Sequence, residues 1–226
     1  RLTEVGKSSV KRVNTFSADG DMSSALNVLT RLTEDFPTSL LLKEAHYRRG
    51  DIMFNLEDYA GAEKAFAEVS TSKKDNRFYN SANYMRGWSL FKTERHEDAL
   101  TAFVAVIDER FVDTTAIVTA STGDKELLDD TVRVMSMIFA DDKGYRQIPK
   151  LFERLGNRHY EYLIYDSLAE YYSRKRQFTD AAKTYRAFVT NNPGDVLAPA
   201  FYANLVKSYK GAGYVDKVLR HKEIYI

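Results

Sequence analysis

A short pattern of residues recurs along the chain at a fixed interval. Ala25, Ala62 and Ala99 follow one another every 37 residues, and Ala181 and Val218 are separated by the same distance. Four positions after each alanine stands a large apolar residue: Leu29, Phe66, Phe103 and Tyr185. A period of this length indicates supersecondary units that stack, because each unit leaves an apolar side that its neighbour must cover.

The residues around each alanine predict that one unit is a pair of antiparallel helices. Twelve positions before the alanines the chain carries mostly small residues: Val13, Gly50, Gly87 and Ala169. Small residues on facing helices allow a close approach, and the bulky residue one turn further on fills the groove beside that contact. Pro37 and Pro193 each follow their alanine by twelve residues, where a proline ends the second helix.

These features together resemble the tetratricopeptide repeat, a helix–turn–helix of about 34 residues with small residues in both helices and a closing proline. The segment from 165 to 193 matches best, through Tyr165, Leu168, Ala169, Tyr172, Ala181, Tyr185 and Pro193. The longer period is similar to that of bacterial cell-envelope members of the family. The resemblance implies an all-α fold, a superhelix or solenoid of about six antiparallel helix pairs.

The centre of the chain departs from the period. The interval from Ala99 to Ala181 is 82 residues, which leaves room for an irregular fourth pair and an insertion. The insertion, about residues 112–124, is rich in Thr and Ser without a helical period, which predicts a surface loop. We expect one continuous domain over residues 1–226, with helix pairs at about 7–35, 40–70, 77–109, 125–156, 160–191 and 198–225.

The charge balance argues against a nucleic-acid-binding protein. Lys and Arg number 33 against 32 Asp and Glu, a formal net charge of +1, so no overall field attracts a polyanion. Locally, residues 124–143 hold six acids and three bases, and residues 201–226 hold five bases and two acids. No apolar run approaches the ~20 residues of a membrane-spanning helix.

The chain contains no cysteine, which excludes disulfides and thiolate chemistry. This composition suits either the cytoplasm or the bacterial periplasm, and the resemblance favours the periplasm or cell envelope. The sequence begins at Arg1 without a signal-like segment, so we expect a fragment of a longer protein.

The sequence shows no catalytic constellation. The four histidines are His46, His96, His159 and His221, and none has a second histidine at metal-ligand spacing. The glycines at 211 and 213 lack the preceding strand and the spacing of a phosphate-binding loop. We therefore expect no enzyme, no catalytic residue, no cofactor and no metal.

The resemblance implies partner contacts at exposed positions of the first helices, on the concave face. On this chain those positions are Tyr47, Asp51, Asn55, Tyr84, Trp88, Lys92, Asp166, Glu170 and Arg174, and the fourth pair adds Arg133, Met137, Ala140 and Asp141. Tyr47, Tyr84 and Trp88 are the foremost anchors, although packing between repeats is an alternative use for them. The set lacks the Lys/Asn/Arg clamp of members that bind chaperone tails, so we expect an extended peptide or helix.

Three further hypotheses stay open beside a protein–protein scaffold. A helical-repeat RNA-binding module would need a basic face. An enzyme would need a cluster of titratable residues around the 112–124 insertion. A self-assembly module would use the apolar C-terminal edge at residues 224–226, since terminal repeats usually need polar caps.

Overall fold

The computed structural model describes residues 13, 15, 20–71, 76–141 and 144–223, and the side chains of 221–223 are not among them. This part of the chain is helical throughout and contains no strand. Its twelve α-helices are α1 (Met22–Asp35), α2 (Leu42–Asn55), α3 (Tyr59–Ser70), α4 (Tyr79–Lys92), α5 (His96–Arg110), α6 (Thr114–Val118), α7 (Thr122–Asp141), α8 (Gln147–Leu155), α9 (Glu161–Arg174), α10 (Phe178–Asn191), α11 (Ala198–Gly211) and α12 (Val215–Glu223). A 3₁₀ turn, Gly144–Arg146, precedes α8. The expected all-α fold is confirmed.

Two compact units divide the chain, Arg1–Glu109 and Arg110–Ile226. In the first, α1 packs on α2, α2 on α3, and α3 on α4. In the second, α7 packs on α9, α9 on α10, α10 on α11, and α11 on α12. In these pairs each helix lies against its neighbour in the chain or, for α7 and α9, against the next first helix, as stacked hairpins require. The single continuous domain stays a prediction.

The repeated alanines form the centre of each hairpin. All four, Ala25, Ala62, Ala99 and Ala181, are fully buried. The small residues on the first helices have a more specific role than the sequence predicts, because they leave room for an aromatic ring of the second helix. A Cβ atom on Gly50 would lie 2.8 Å from the ring of Phe66, and one on Gly87 would lie 2.6 Å from the ring of Phe103. The aromatic ring four residues after the alanine therefore rests directly on the glycine backbone.

One turn conformation joins the two helices of each regular pair. Five residues before each repeat-marking residue, the backbone is left-handed, with φ between 60° and 76°: Gly20, Glu57, Glu94, Arg176 and Gly213. Where the first helix is described, the amide of the next residue donates to a carbonyl five residues back, at 2.8–3.0 Å. This αL ending satisfies carbonyls at the helix C-terminus. The 37-residue period is therefore present in the backbone as well as in the sequence.

The helix ends follow local chemistry. The carboxylates of Asp21 and Asp58 accept from the amides of Ser24 and Gly61 at 2.9 Å, and so cap α1 and α3. Helix α1 ends two residues before Pro37, and α10 ends two residues before Pro193, as predicted.

The insertion differs from the prediction. The prediction of a loop over residues 112–124 was wrong, because Thr114–Val118 form α6 and α7 already begins at Thr122. Asp113 caps α6 through the amide of Ala116 at 2.8 Å, a local bond that favours one helical turn without an apolar period. Its surface position is confirmed, since none of its residues is buried. Most of the first helix of pair one, and residues 224–226, lie outside the described residues.

Candidate functional site

Tyr47, on the first helix of the second pair, uses part of its ring for packing. The ring stacks on Phe78 with centroids 5.1 Å apart and tilts against Phe66 at 5.7 Å. Burial, with the nearby charge of Asp51, raises the pKa of the Tyr47 hydroxyl, and a hydrogen bond with Ser81 opposes that shift. The side chain is half-buried, so one side packs and the other remains accessible.

Tyr84 and Trp88, one turn apart on α4, share the same dual position. Both rings meet the buried ring of Phe103 edge-on, at 6.1 Å and 6.5 Å between centroids. Trp88 also lies 5.8 Å from Phe91. Both side chains are half-buried. Phe103 therefore fixes two aromatic side chains that still present an accessible part, as rigid binding anchors do.

The polar residues among the predicted partner-contact positions of the first unit lie at the surface. Asp51, Asn55 and Lys92 are exposed. Partial burial of its carboxyl group raises the pKa of Asp51, and Arg48 opposes this. The Lys92 ammonium lies 5.6 Å from the ring centroid of Tyr59, within reach of a weak cation–π contact.

In the second unit, the predicted positions of two successive first helices meet in an open groove between α7 and α9. The groove has a volume of about 570 Å³. Its lining residues are Glu126, Asp129, Asp130, Val132, Arg133, Leu163, Asp166, Ser167, Glu170 and Arg174. They recur at three- and four-residue steps on each helix, which places them on one helix face.

A smaller cavity of 280 Å³ continues this groove. It shares Arg133, Ser167 and Arg174 with the groove and adds Met137, Tyr171 and Lys175. We call the two together the α7–α9 groove. At its floor the hydroxyls of Ser167 and the buried Ser136 are hydrogen-bonded at 3.0 Å, which ties the two helices together.

Two ion pairs lie along the α7–α9 groove. Arg133 pairs with Asp130 one turn away on α7, and Arg174 pairs with Glu170 on α9 at 3.2 Å. Burial, and then the charge of Glu170, raises the pKa of Asp166, while a hydrogen bond from Tyr185 opposes this shift. The groove therefore carries a net negative charge on helices that are fixed by core packing.

The structure brings some predicted residues together and adds others. Arg133 of the fourth pair lines the groove with Asp166, Glu170 and Arg174 of the fifth, and Met137 lines the adjoining cavity with Arg174. The repeat register missed other residues of the lining, namely Glu126, Asp129, Asp130, Leu163, Ser167, Tyr171 and Lys175. The acidic excess over residues 124–143 was a signal for three of them, although charge alone does not show on which side of α7 they lie.

The described residues were also compared with what a metal site and a membrane-spanning helix require. No three His, Cys, Asp or Glu side chains there are grouped as a metal ion requires. In the same part of the chain, no helix combines the length and apolar character needed to cross a bilayer.

Comparison with known proteins relates the chain to helical-repeat proteins. Residues 10–77 match the family model described as tetratricopeptide repeat. A crystallised tetratricopeptide repeat protein from Parabacteroides merdae is 12% identical, covers 97% of this chain with 78% of its own, and superposes with a TM-score of 0.53. This likeness shows the fold.

Two further solved structures superpose less closely. The MamA protein is 12% identical over 97% of this chain and 89% of its own, with a TM-score of 0.48. YrrB, described as a tetratricopeptide repeat protein with an unusual peptide-binding site, is 17% identical over 85% of this chain and 89% of its own, with a TM-score of 0.46. No curated protein matches the sequence.

Proposed function

We propose that this chain is a tetratricopeptide repeat protein and acts as a non-catalytic scaffold whose first helices bind an extended segment of a partner protein. The fold is typical of protein–protein interaction scaffolds and of proteins that bind peptides. The proposal adds which surface of this chain makes the contact.

The α7–α9 groove is the observation that carries the proposal. It is open, it is lined by two successive first helices, and its volume of 570 Å³ lies in the range of binding clefts. Helix-borne side chains with a fixed backbone are well suited to bind a peptide, since little order is lost when the partner arrives.

The half-buried aromatic residues of the first unit support a second contact area. Tyr84 and Trp88 are held by Phe103, and preorganised aromatic side chains are frequent binding hot spots. We assign to this area Tyr47, Asp51, Asn55, Tyr84, Trp88 and Lys92, and to the groove Asp166, Glu170 and Arg174.

The test is affinity capture from a native lysate with the purified chain, followed by identification of the captured proteins. Four proteins are compared: wild type, Met137→Ala/Arg174→Ala in the groove, Tyr84→Ala/Trp88→Ala in the first unit, and the control Leu40→Ala/Val196→Ala. The control residues are 87% and 89% exposed, so their truncation should change neither fold nor binding.

We expect the same captured proteins to be depleted in at least one site variant and retained by the control. Circular dichroism of each variant checks that helicity is unchanged, since Tyr84 and Trp88 also touch the core. Equal capture by all four proteins would remove the first helices as the binding surface.

Self-association is a second candidate, favoured by apolar side chains on the last helix. Val215 and Leu219 of α12 are 65% and 57% exposed, and the neighbouring Tyr214 is 42% exposed. Such an exposed apolar surface favours coverage by another chain. Light scattering should then show a dimer that Val215→Ser/Leu219→Ser converts to a monomer, and a wild-type monomer at high concentration would exclude it.

A further inference from the structure

We propose that the α7–α9 groove selects a basic segment of its partner, with a lysine or arginine of that segment seated beside Asp129 and Asp166. This rests on the proposed function and names the chemical class of the occupant.

The charges of the groove do not balance internally. The lining of its two parts holds five carboxylates, Glu126, Asp129, Asp130, Asp166 and Glu170, against the guanidinium groups of Arg133 and Arg174 and the ammonium group of Lys175. Each guanidinium is already paired with a carboxylate of its own helix. The other three carboxylates, Glu126, Asp129 and Asp166, form no ion pair with a lysine or arginine of the described residues. The open face of the groove therefore complements a positively charged segment.

Asp166 lies at the point where this imbalance is most costly to the fold. Its side chain is half-buried beneath the groove surface, and its neighbour one turn away, Glu170, has the same charge. The hydroxyl of Tyr185 supplies a hydrogen bond but no positive charge. A guanidinium or ammonium group beside Asp166 would supply it, through a charge-assisted bond in a partly desolvated place.

The adjoining 280 Å³ cavity specifies what stands next to the basic residue. Met137 and the ring of Tyr171 give it an apolar lining. Lys175 also lines this cavity, as an exposed side chain whose ammonium lies 4.5 Å from the centroid of the Tyr171 ring. A partner segment with an apolar side chain close to a lysine or arginine fits both parts of the groove.

The acidic lining also disfavours one other occupant and leaves one competitor. A nucleic acid would be repelled, since binding requires cations opposite its phosphates. The apolar face of α12 from a second copy is the remaining competitor, because Lys217 and Arg220 accompany Val215 on that helix. The experiment below separates it from a partner segment.

Fluorescence anisotropy with three labelled nonapeptides tests the proposal. The first carries three arginines around a central leucine, the second has glutamate in place of arginine, and the third has glutamine. The full chain is titrated as wild type, as Asp129→Asn/Asp166→Asn, and as the control Glu153→Gln/Asp216→Asn. Both doubles remove two negative charges, but Glu153 and Asp216 are exposed residues outside the groove.

We expect wild type to bind the arginine peptide at least about tenfold more tightly than the glutamine peptide, and to weaken as salt is raised. The groove double should lose about tenfold or more in affinity, and the control less than about twofold. No preference for the arginine peptide, or an equal loss in both doubles, would overturn the proposal.

Its failure can be told apart from failure of the proposed function. Partner capture that depends on Met137→Ala/Arg174→Ala but not on Asp129→Asn/Asp166→Asn would leave the scaffold in place and remove the basic occupant. Sedimentation velocity addresses the second copy: a wild-type dimer that Asp129→Asn/Asp166→Asn converts to a monomer would identify that copy as the occupant and overturn the partner segment.

Discussion

Replacing Gly87 by alanine should destabilise the first unit even though alanine is the better helix former. In the middle of α4 the exchange would by propensity alone stabilise the helix by about 1 kcal/mol. The new Cβ atom, however, would lie 2.6, 2.8 and 2.9 Å from three atoms of the Phe103 ring. Carbon atoms pack at about 3.5–4.0 Å, so the ring must move by roughly 1 Å.

The ring has no free space into which to move. Phe103 is fully buried, and Tyr84 and Trp88 lie edge-on against it. Overpacking of a core costs about 1–3 kcal/mol, and contacts this short on a confined ring belong to the upper part of that range. After the gain in propensity, we expect a net loss of about 1–2 kcal/mol in the free energy of unfolding.

Urea unfolding followed by circular dichroism measures the loss, and hydrogen exchange of α4 and α5 amides assigns it to the first unit. Gly123→Ala in α7 is the matched control, because nothing lies within 4 Å of its new Cβ atom, and it should be neutral or stabilising. Phe103→Leu should relieve the Gly87→Ala loss, seen as a coupling energy in a double-mutant cycle. A Gly87→Ala protein at least as stable as wild type would refute this explanation of the small position.

Three further changes follow from the same structure. Glu94→Gly should stabilise by about 0.5–1 kcal/mol in urea unfolding, because Glu94 holds a φ of 60° that glycine adopts without strain; a loss would contradict this. Glu63→Ala should cost about 1–2 kcal/mol of stability, since the buried carboxylate pairs with Arg86 at 2.8 Å and the arginine keeps partial access to water. In thermal melts, high salt should reduce the stability difference between wild type and variant only slightly. Asp166→Asn should raise the free energy of unfolding at pH 7, because burial raises the pKa of Asp166. The wild-type fold loses stability as pH rises through that pKa and the carboxyl group ionises, and asparagine does not ionise. That gain should vanish near pH 4, and a gain independent of pH would count against it.

The helix pairs could be predicted because their signal is local and repeated. In the second, third and fifth pairs, the spacing of the alanines predicts helix ranges that lie within a few residues of the observed helices. The left-handed turn position was overlooked, since glutamate or arginine occupies it at Glu57, Glu94 and Arg176. Only Gly20 and Gly213 carried the usual residue for that conformation, so composition concealed a register that the backbone shows.

The irregular centre contains helices that the sequence pattern did not predict. Residues 112–124 lack an apolar period, yet Asp113 and Ser121 start helices there through side-chain hydrogen bonds. A cap needs only one or two residues, which is too little signal to outweigh a Thr- and Ser-rich composition. The prediction of a loop was wrong for that reason.

By itself the sequence determined the repeat and the all-α hairpin fold, because burial of small and bulky residues at a fixed period is written in consecutive positions. It also placed Asp166, Glu170 and Arg174 on a first helix. Only the tertiary structure decided that Glu126 and Asp129 of α7 face the same groove as Asp166 of α9, and that Phe103 rests on Gly87. Contacts between separate helices depend on how each helix is rotated about its axis, and packing of whole side chains sets that rotation.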